Sequence, residues 1–212
     1  MKFSKKSHQI WLITMAVLAI VTGMYPAVFA FVPEARGLFS NKAEALITSS
    51  WYVPTFMVHI GFGAIAILAG STQFFKRLRQ RRLQLHRTLG KIYILAVIPS
   101  GLAGLIVGFY ATGTWYSKAG FICLALGWLI TTIIAYRSIK NGNILTHQKW
   151  MMRSYAFCFA FVTFRIYLGL GAALGLPFNA YYSYLSFLCW VPNIVFIEWR
   201  IQRLRAGLVP IT

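Results

Sequence analysis

Apolar residues do not alternate with polar ones along this chain. They gather into six long runs separated by short, mostly basic connections. The runs are Ile10–Phe31, Val53–Phe75, Ile92–Thr112, Ala119–Tyr136, Met151–Gly171 and Tyr181–Trp199. A helix rises about 1.5 Å per residue, so about 20 apolar residues cross the roughly 30 Å hydrocarbon core of a bilayer. The pattern predicts an all-α fold: a polytopic membrane helix bundle of six transmembrane helices, forming one domain over residues 1–212. Small residues recur at helical spacing on two of the runs. Ser100, Gly104 and Gly108 do so on the third, with Gly101 beside them, and Ala66 and Gly70 on the second. Such faces predict close approach between helix backbones.

The connections set the orientation. Lys2, Lys5 and Lys6, the block Lys76–Lys91, the set Arg137, Lys140, Lys149 and Arg153, and the set Arg200, Arg203 and Arg205 all fall on one side. The other side carries only Arg36, Lys42 and Lys118. Basic residues in short loops mark the cytoplasmic side. Seventeen against three therefore predicts both termini in the cytoplasm and an even number of crossings. The basic start, the apolar run and Ala30 also fit a secretory leader. The run is longer than a leader's apolar core, so an uncleaved helix is expected.

Composition changes the picture in one respect. Apolar residues make up 58% and charged residues 11% of the 212, with a net charge of +18. Soluble domains carry about 25% charged residues. The only acids are Glu34, Glu44 and Glu198, and Asp is absent. On a soluble chain such a charge would point to nucleic acid. Here the cations flank apolar runs, so they read as topology signals and as contacts to anionic lipid at the cytoplasmic face, with no nucleic-acid partner. P-loop ATPases, EF-hands and Asp-based triads need carboxylates that this chain lacks. Cys123, Cys158 and Cys189 are widely spaced inside apolar runs and read as buried small hydrophobes.

Ionisable groups at membrane depth are the informative ones, because burying a cation there costs about 3 kcal/mol. His59 lies six residues into the second run, about 9 Å from one boundary. Arg165 lies fourteen residues into the oppositely directed fifth run, about 21 Å from the other boundary. The two are expected at one depth, bordering an outer-half cavity that admits a quinone or an anionic small molecule. No acid lies on any run at that level, so Arg165 must use carbonyls, water or a ligand. His86 and His147 each follow a basic loop and open a helix. At equal depth they would share a metal or ligate one haem b iron. Arg87, Lys91, Lys149 and Arg153 would then hold the propionates. Packing at lipid headgroups or helix ends explains the same two histidines. Glu198 is expected to pair with Arg153 or Arg87.

Three stretches carry a resemblance. They are His59-Ile-Gly-Phe-Gly through Gly70-Ser-Thr-Gln-Phe, Leu85-His86-Arg87-Thr-Leu-Gly90-Lys-Ile-Tyr93, and His147-Gln-Lys-Trp150-Met-Met-Arg153-Ser-Tyr155 with Val162-Thr-Phe-Arg165. Together they resemble the DUF2306 family of predicted bacterial membrane proteins, over roughly residues 50–200. That likeness implies a multi-pass protein of the bacterial inner membrane and no particular reaction. A looser likeness runs to cytochrome b561-type proteins, which hold b-type haem between histidines on neighbouring helices. It implies His86 and His147 as one axial pair. The chain departs from a two-haem arrangement because His59 has no histidine partner on the fourth run. Two classes of function follow: a haem- or quinone-linked redox protein, or a non-redox permease, lipid-binding scaffold or assembly partner.

The topology is open to a direct test. Reporter fusions at Thr212 and within residues 141–146 should read as cytoplasmic, and one within residues 113–117 as external. An external signal from Thr212 would reject the arrangement.

Overall fold

The computed structural model describes residues 5–24, 26–27 and 42–205, and every regular element among them is helical. In chain order these are α1 (Lys5–Gly23), α2 (Glu44–Ile47), α3 (Tyr52–Thr72), α4 (Lys76–Arg81), α5 (Leu83–Phe109), α6 (Trp115–Lys140), α7 (Ile144–Ala173), α8 (Phe178–Leu188) and α9 (Val191–Arg205). Four of them, α3, α5, α6 and α7, are each long and apolar enough to cross a membrane. The continuous stretch Phe178–Arg203, which holds α8 and most of α9, is a fifth. The apolar part of α1 is shorter, Leu12–Gly23, and most of the rest of the first expected run lies outside the described residues.

The core is built from α3, α5, α6 and α7. α3 packs along α5, α5 against α6, and α6 against α7. α1 lies on α3 and α7, α8 on α6 and α7, and α9 on α7. The helices overrun the apolar runs that announce them. α5 begins nine residues before Ile92, and α7 begins seven before Met151. Hydropathy marks only the hydrocarbon portion of a helix. The added turns carry His86, Arg87, Lys91, His147 and Lys149, and the long stems of Lys and Arg let a charged head leave the apolar layer while the backbone stays helical. The short α4 presents Lys76, Arg77, Arg79 and Arg81 at this same basic end. The loop from Lys42, the start of α3 and the ends of α5 and α7 lie at the opposite, far end.

The last expected span is not one helix. It breaks between Leu188 and Val191. Pro192 has no N–H for the Leu188 carbonyl, and its ring disfavours a helical conformation at Val191. Carbonyls near the break are taken up by side chains. Trp190 Nε1 donates to Ser186 O at 2.8 Å, and Asn193 Nδ2 to Cys189 O at 3.0 Å. Asn193 Nδ2 also reaches Thr163 Oγ1 at 2.9 Å and Ala156 O at 3.3 Å, tying α9 to α7. Irregular backbone at membrane depth needs such partners.

The small-residue faces do close the bundle. A Cβ on Gly70 would stand 2.7 Å from the Tyr155 ring and 2.8 Å from the Tyr93 ring, both buried. One on Gly101 would meet Leu129 at 2.6 Å. Gly61, on the same helix as Gly70, has open space at that position. Overpacking a filled core costs about 1–3 kcal/mol. Gly70→Ala should lower the detergent melting midpoint by that order, while Gly61→Ala should leave it unchanged or raise it. Equal midpoints for the two variants would show that the α3–α5–α7 contact is not tight.

Candidate functional site

The bundle encloses a cavity of about 160 Å³ between α3, α5, α6, α7 and α8. Its wall is mostly aromatic and aliphatic, with Phe56, Phe121, Phe157, Phe161, Phe164, Trp128 and Tyr182 among the contributors. Three nitrogen-bearing side chains join them on the same wall: His59, Arg165 and Lys42. Among the described residues, no Asp or Glu lines it.

His59 is fixed by a reciprocal clasp between α3 and α5. Its Nδ1 lies 2.9 Å from the Ser100 carbonyl, and Ser100 Oγ donates to the His59 carbonyl at 2.8 Å. A carbonyl only accepts, so Nδ1 carries the hydrogen, and in the neutral ring Nε2 is left as an acceptor. The clasp requires Gly104 on α5, where a Cβ would stand 2.9 Å from the imidazole. The sequence places Ser100 and Gly104 one turn apart, so one face of α5 supplies both the bond and the space.

Arg165 sits at nearly the same level. His59 is seven residues from the far end of α3 and Arg165 eight from that of α7, about 10 and 12 Å. The two are within electrostatic reach of one another. Arg165 folds back on its own helix. Nη1 donates to the Phe161 carbonyl at 2.8 Å, and the guanidinium lies 3.9 Å from the centre of the Phe161 ring. Carbonyl and ring face are two of the partners that serve the charge. Both side chains line the one cavity.

Lys42 is a member that the sequence did not single out. It donates to the Tyr110 carbonyl and lies 5.7 Å over the Tyr52 ring. Burial, and then the neighbouring Lys118, lower its amine to about 8. Its place in a loop with no local motif gave no signal of this role. Trp128, Cys158 and Cys189 also reach the cavity wall. The expectation that the cysteines are buried holds for Cys158 and Cys189 and not for Cys123, which is exposed.

At the basic end, His86 and His147 come within electrostatic reach of each other. His147 Nδ1 donates to the Ala135 carbonyl at 2.8 Å, leaving Nε2 as its second ring atom. His86 Nδ1 is buried and has no hydrogen-bond partner among the described residues. Of the cations expected around the pair, Arg87 lies within electrostatic reach of His86. Arg87 and Lys91 are exposed, and Lys149 is half-buried. Arg153 is bound by Glu198 through Nε to Oε1 at 2.5 Å and Nη2 to Oε2 at 2.9 Å, and it stacks on Trp150. Neither this cavity nor a second, apolar one of about 360 Å³ among α1, α7 and α9 is lined by either histidine. No group of three or more His, Cys, Asp or Glu side chains suited to a metal gathers among the described residues.

Lys42 gives the site a measurable titration. Its depressed value means that the amine is half-deprotonated near pH 8 instead of pH 10.5. Acylation of Lys42, followed by peptide mass spectrometry, should rise through a midpoint near pH 8. Lys118→Met should move that midpoint upward by removing the like charge. A midpoint above pH 10 in the unaltered protein would show that Lys42 is not held against the bundle.

No curated protein and no solved structure matches the chain. A family model does, over residues 56–201, under the description "Predicted membrane protein (DUF2306)". The match takes in His59, the clasp with Ser100, Arg165 and the basic-end histidines, and begins beyond Lys42. The chain belongs to the DUF2306 family of membrane proteins.

Proposed function

We propose that this multi-pass membrane protein binds a quinone-class ligand, a flat carbonyl-bearing ring with an apolar tail, in the cavity that contains His59 and Arg165. One observation carries the reading. Imidazole, guanidinium and amine nitrogens reach a largely aromatic cavity to which, among the described residues, no carboxylate contributes. Binding sites of this type combine an apolar wall with a few placed polar groups. A cationic ligand finds no counter-charge there, and a sugar-like ligand finds too few partners. A ring bearing carbonyl oxygens can accept from the guanidinium and the amine, while its faces meet phenyl and indole rings.

The reading includes a placement. The basic end faces the cytoplasm of a bacterial inner membrane and contacts anionic lipid, α1 makes the sixth crossing, and the cavity lies in the outer leaflet. The basic asymmetry of the loops supports this orientation. Quinones dissolve in the bilayer, so the ligand reaches its site from the membrane.

A b-type haem between His86 and His147 is less well supported. The backbone hydrogen bond at His147 Nδ1 would suit a ligating imidazole. Of the residues expected to hold its propionates, Arg153 is already engaged by Glu198.

The test is direct binding of a tail-shortened quinone analogue to the purified full chain. Wild type should bind. Arg165→Leu and His59→Ala should each weaken binding by about tenfold or more, the value of one lost charge-assisted contact or of the clasp that forms the site. Arg165→Lys should restore only part of the loss, since the planar fork is gone. Binding of organic anions in preference to the quinone would move the protein to the non-redox class. A Soret band in the same preparations would move it to haem. Unchanged quinone binding in both variants would remove the cavity from the function.

A further inference from the structure

Below the cavity lies a chain of hydrogen bonds with an unusual property: it begins and ends on one residue. Trp128 Nε1 donates to the Tyr93 hydroxyl at 3.1 Å. Tyr93 Oη is 2.7 Å from Ser154 Oγ, and Ser154 Oγ is 2.6 Å from Thr132 Oγ1. Thr132 Oγ1 is 2.7 Å from the Trp128 carbonyl.

The proton count fixes every direction. The Trp128 carbonyl can only accept, so the single Thr132 hydroxyl proton goes there. Thr132 must then accept from Ser154, and Ser154 from Tyr93. Tyr93 in turn accepts from the indole. All protons point one way round the ring, and each hydroxyl gives one bond and takes one. Tyr93, Ser154 and Thr132 are 0%, 0% and 1% exposed, and Trp128 7%. A closed ring of this kind has no free donor or acceptor end at either face of the bundle. It is therefore built to hold an orientation and not to pass a proton.

What it holds is the indole. Trp128 is on the cavity wall. Gly104, which faces the His59 imidazole, lies opposite Ala125, and Trp128 follows Ala125 by about one turn on α6 toward the basic end. The indole thus forms the floor beneath the polar side chains. Tyr93 is itself immobilised, since its ring and that of Tyr155 lie against the bare backbone of Gly70. A buried N–H is costly unless it is bonded, and a phenylalanine or leucine would fill the same space without that demand. Three hydroxyls drawn from three helices to orient one indole are explained by a use for the indole's orientation.

We propose that Trp128 is the platform on which the ligand ring stacks, and that Tyr93, Ser154 and Thr132 are positioning residues that lock its plane. The inference rests on the quinone-class reading of the cavity and narrows it. A fused two-ring head covers more of an indole than a single ring does. The site therefore takes a naphthoquinone-class ring in preference to a benzoquinone-class ring.

The experiment measures binding of two analogues with the same short alkyl tail, one naphthoquinone and one benzoquinone, to the full chain in detergent. Wild type should favour the fused ring by about three- to tenfold, the worth of the added stacking. Trp128→Leu should reduce that ratio to near one. Tyr93→Phe should lower it without removing the indole. Thr132→Val, which keeps the volume and deletes one hydroxyl, should lower it as well, and Thr132→Ser should retain it. His59→Ala should weaken both analogues and leave the ratio unchanged, a pattern that a general loss of folding would not give. If Tyr93→Phe does not fold, the Thr132 pair carries the test of the lock. If neither analogue binds wild type, the quinone-class reading falls and takes this inference with it. If both bind and the ratio is the same in wild type, Trp128→Leu and Thr132→Val, the cavity reading stands and the platform is overturned.

Discussion

The controlling constraint is that a hydrocarbon environment supplies no hydrogen-bond partners while this chain has almost no acids to offer its cations. Every polar group at membrane depth has to be served from within the bundle. The solutions differ by depth. Near the far end, Arg165 uses a carbonyl and a ring face of its own helix, and Lys42 uses the Tyr110 carbonyl and the Tyr52 ring. In the middle, hydroxyls and an indole close a ring among themselves. Toward the basic end, Glu198 takes Arg153. Three basic side chains accordingly reach the cavity.

Helix packing follows from the same bonds. The His59–Ser100 clasp joins α3 to α5 and works only because Gly104 leaves room for the imidazole. One layer deeper, Gly70 admits the Tyr155 and Tyr93 rings between α3, α5 and α7. Asn193 then anchors the broken α8–α9 segment to α7. Small residues permit approach, and polar ones fix the register that the approach allows.

Much of this was legible in the sequence. Apolar runs located the long helices, and counting residues from their ends put His59 and Arg165 at one level. That argument works because helix rise is constant. Extents were underestimated at α5 and α7, where basic residues continue the helix past the hydrocarbon. The break before Pro192 was missed because the run around it is uniformly apolar, and hydropathy is blind to a missing N–H. Trp128 and Lys42 escaped notice for another reason. Neither carries a local motif, and their roles depend on groups 35 and 68 residues away in the chain. The His86–His147 proximity was readable from position, but the direction of Arg153 toward Glu198 at the expense of that pair depended on how α9 packs.

The vertical order of these features bears on what the protein does with a ligand. A conduit needs polar or open space at successive depths. Here the layer beneath the cavity contains Ile67, Val97 and Tyr93, each at 0% exposure. Its polar members are bonded to one another with no end left open. A molecule held beside His59 therefore meets a sealed floor and not a path toward the basic end. That favours a site which binds and releases toward the far half of the membrane over one which passes its ligand across. It also separates the two polar regions functionally: whatever His86 and His147 contact at the basic end does not share a compartment with the cavity.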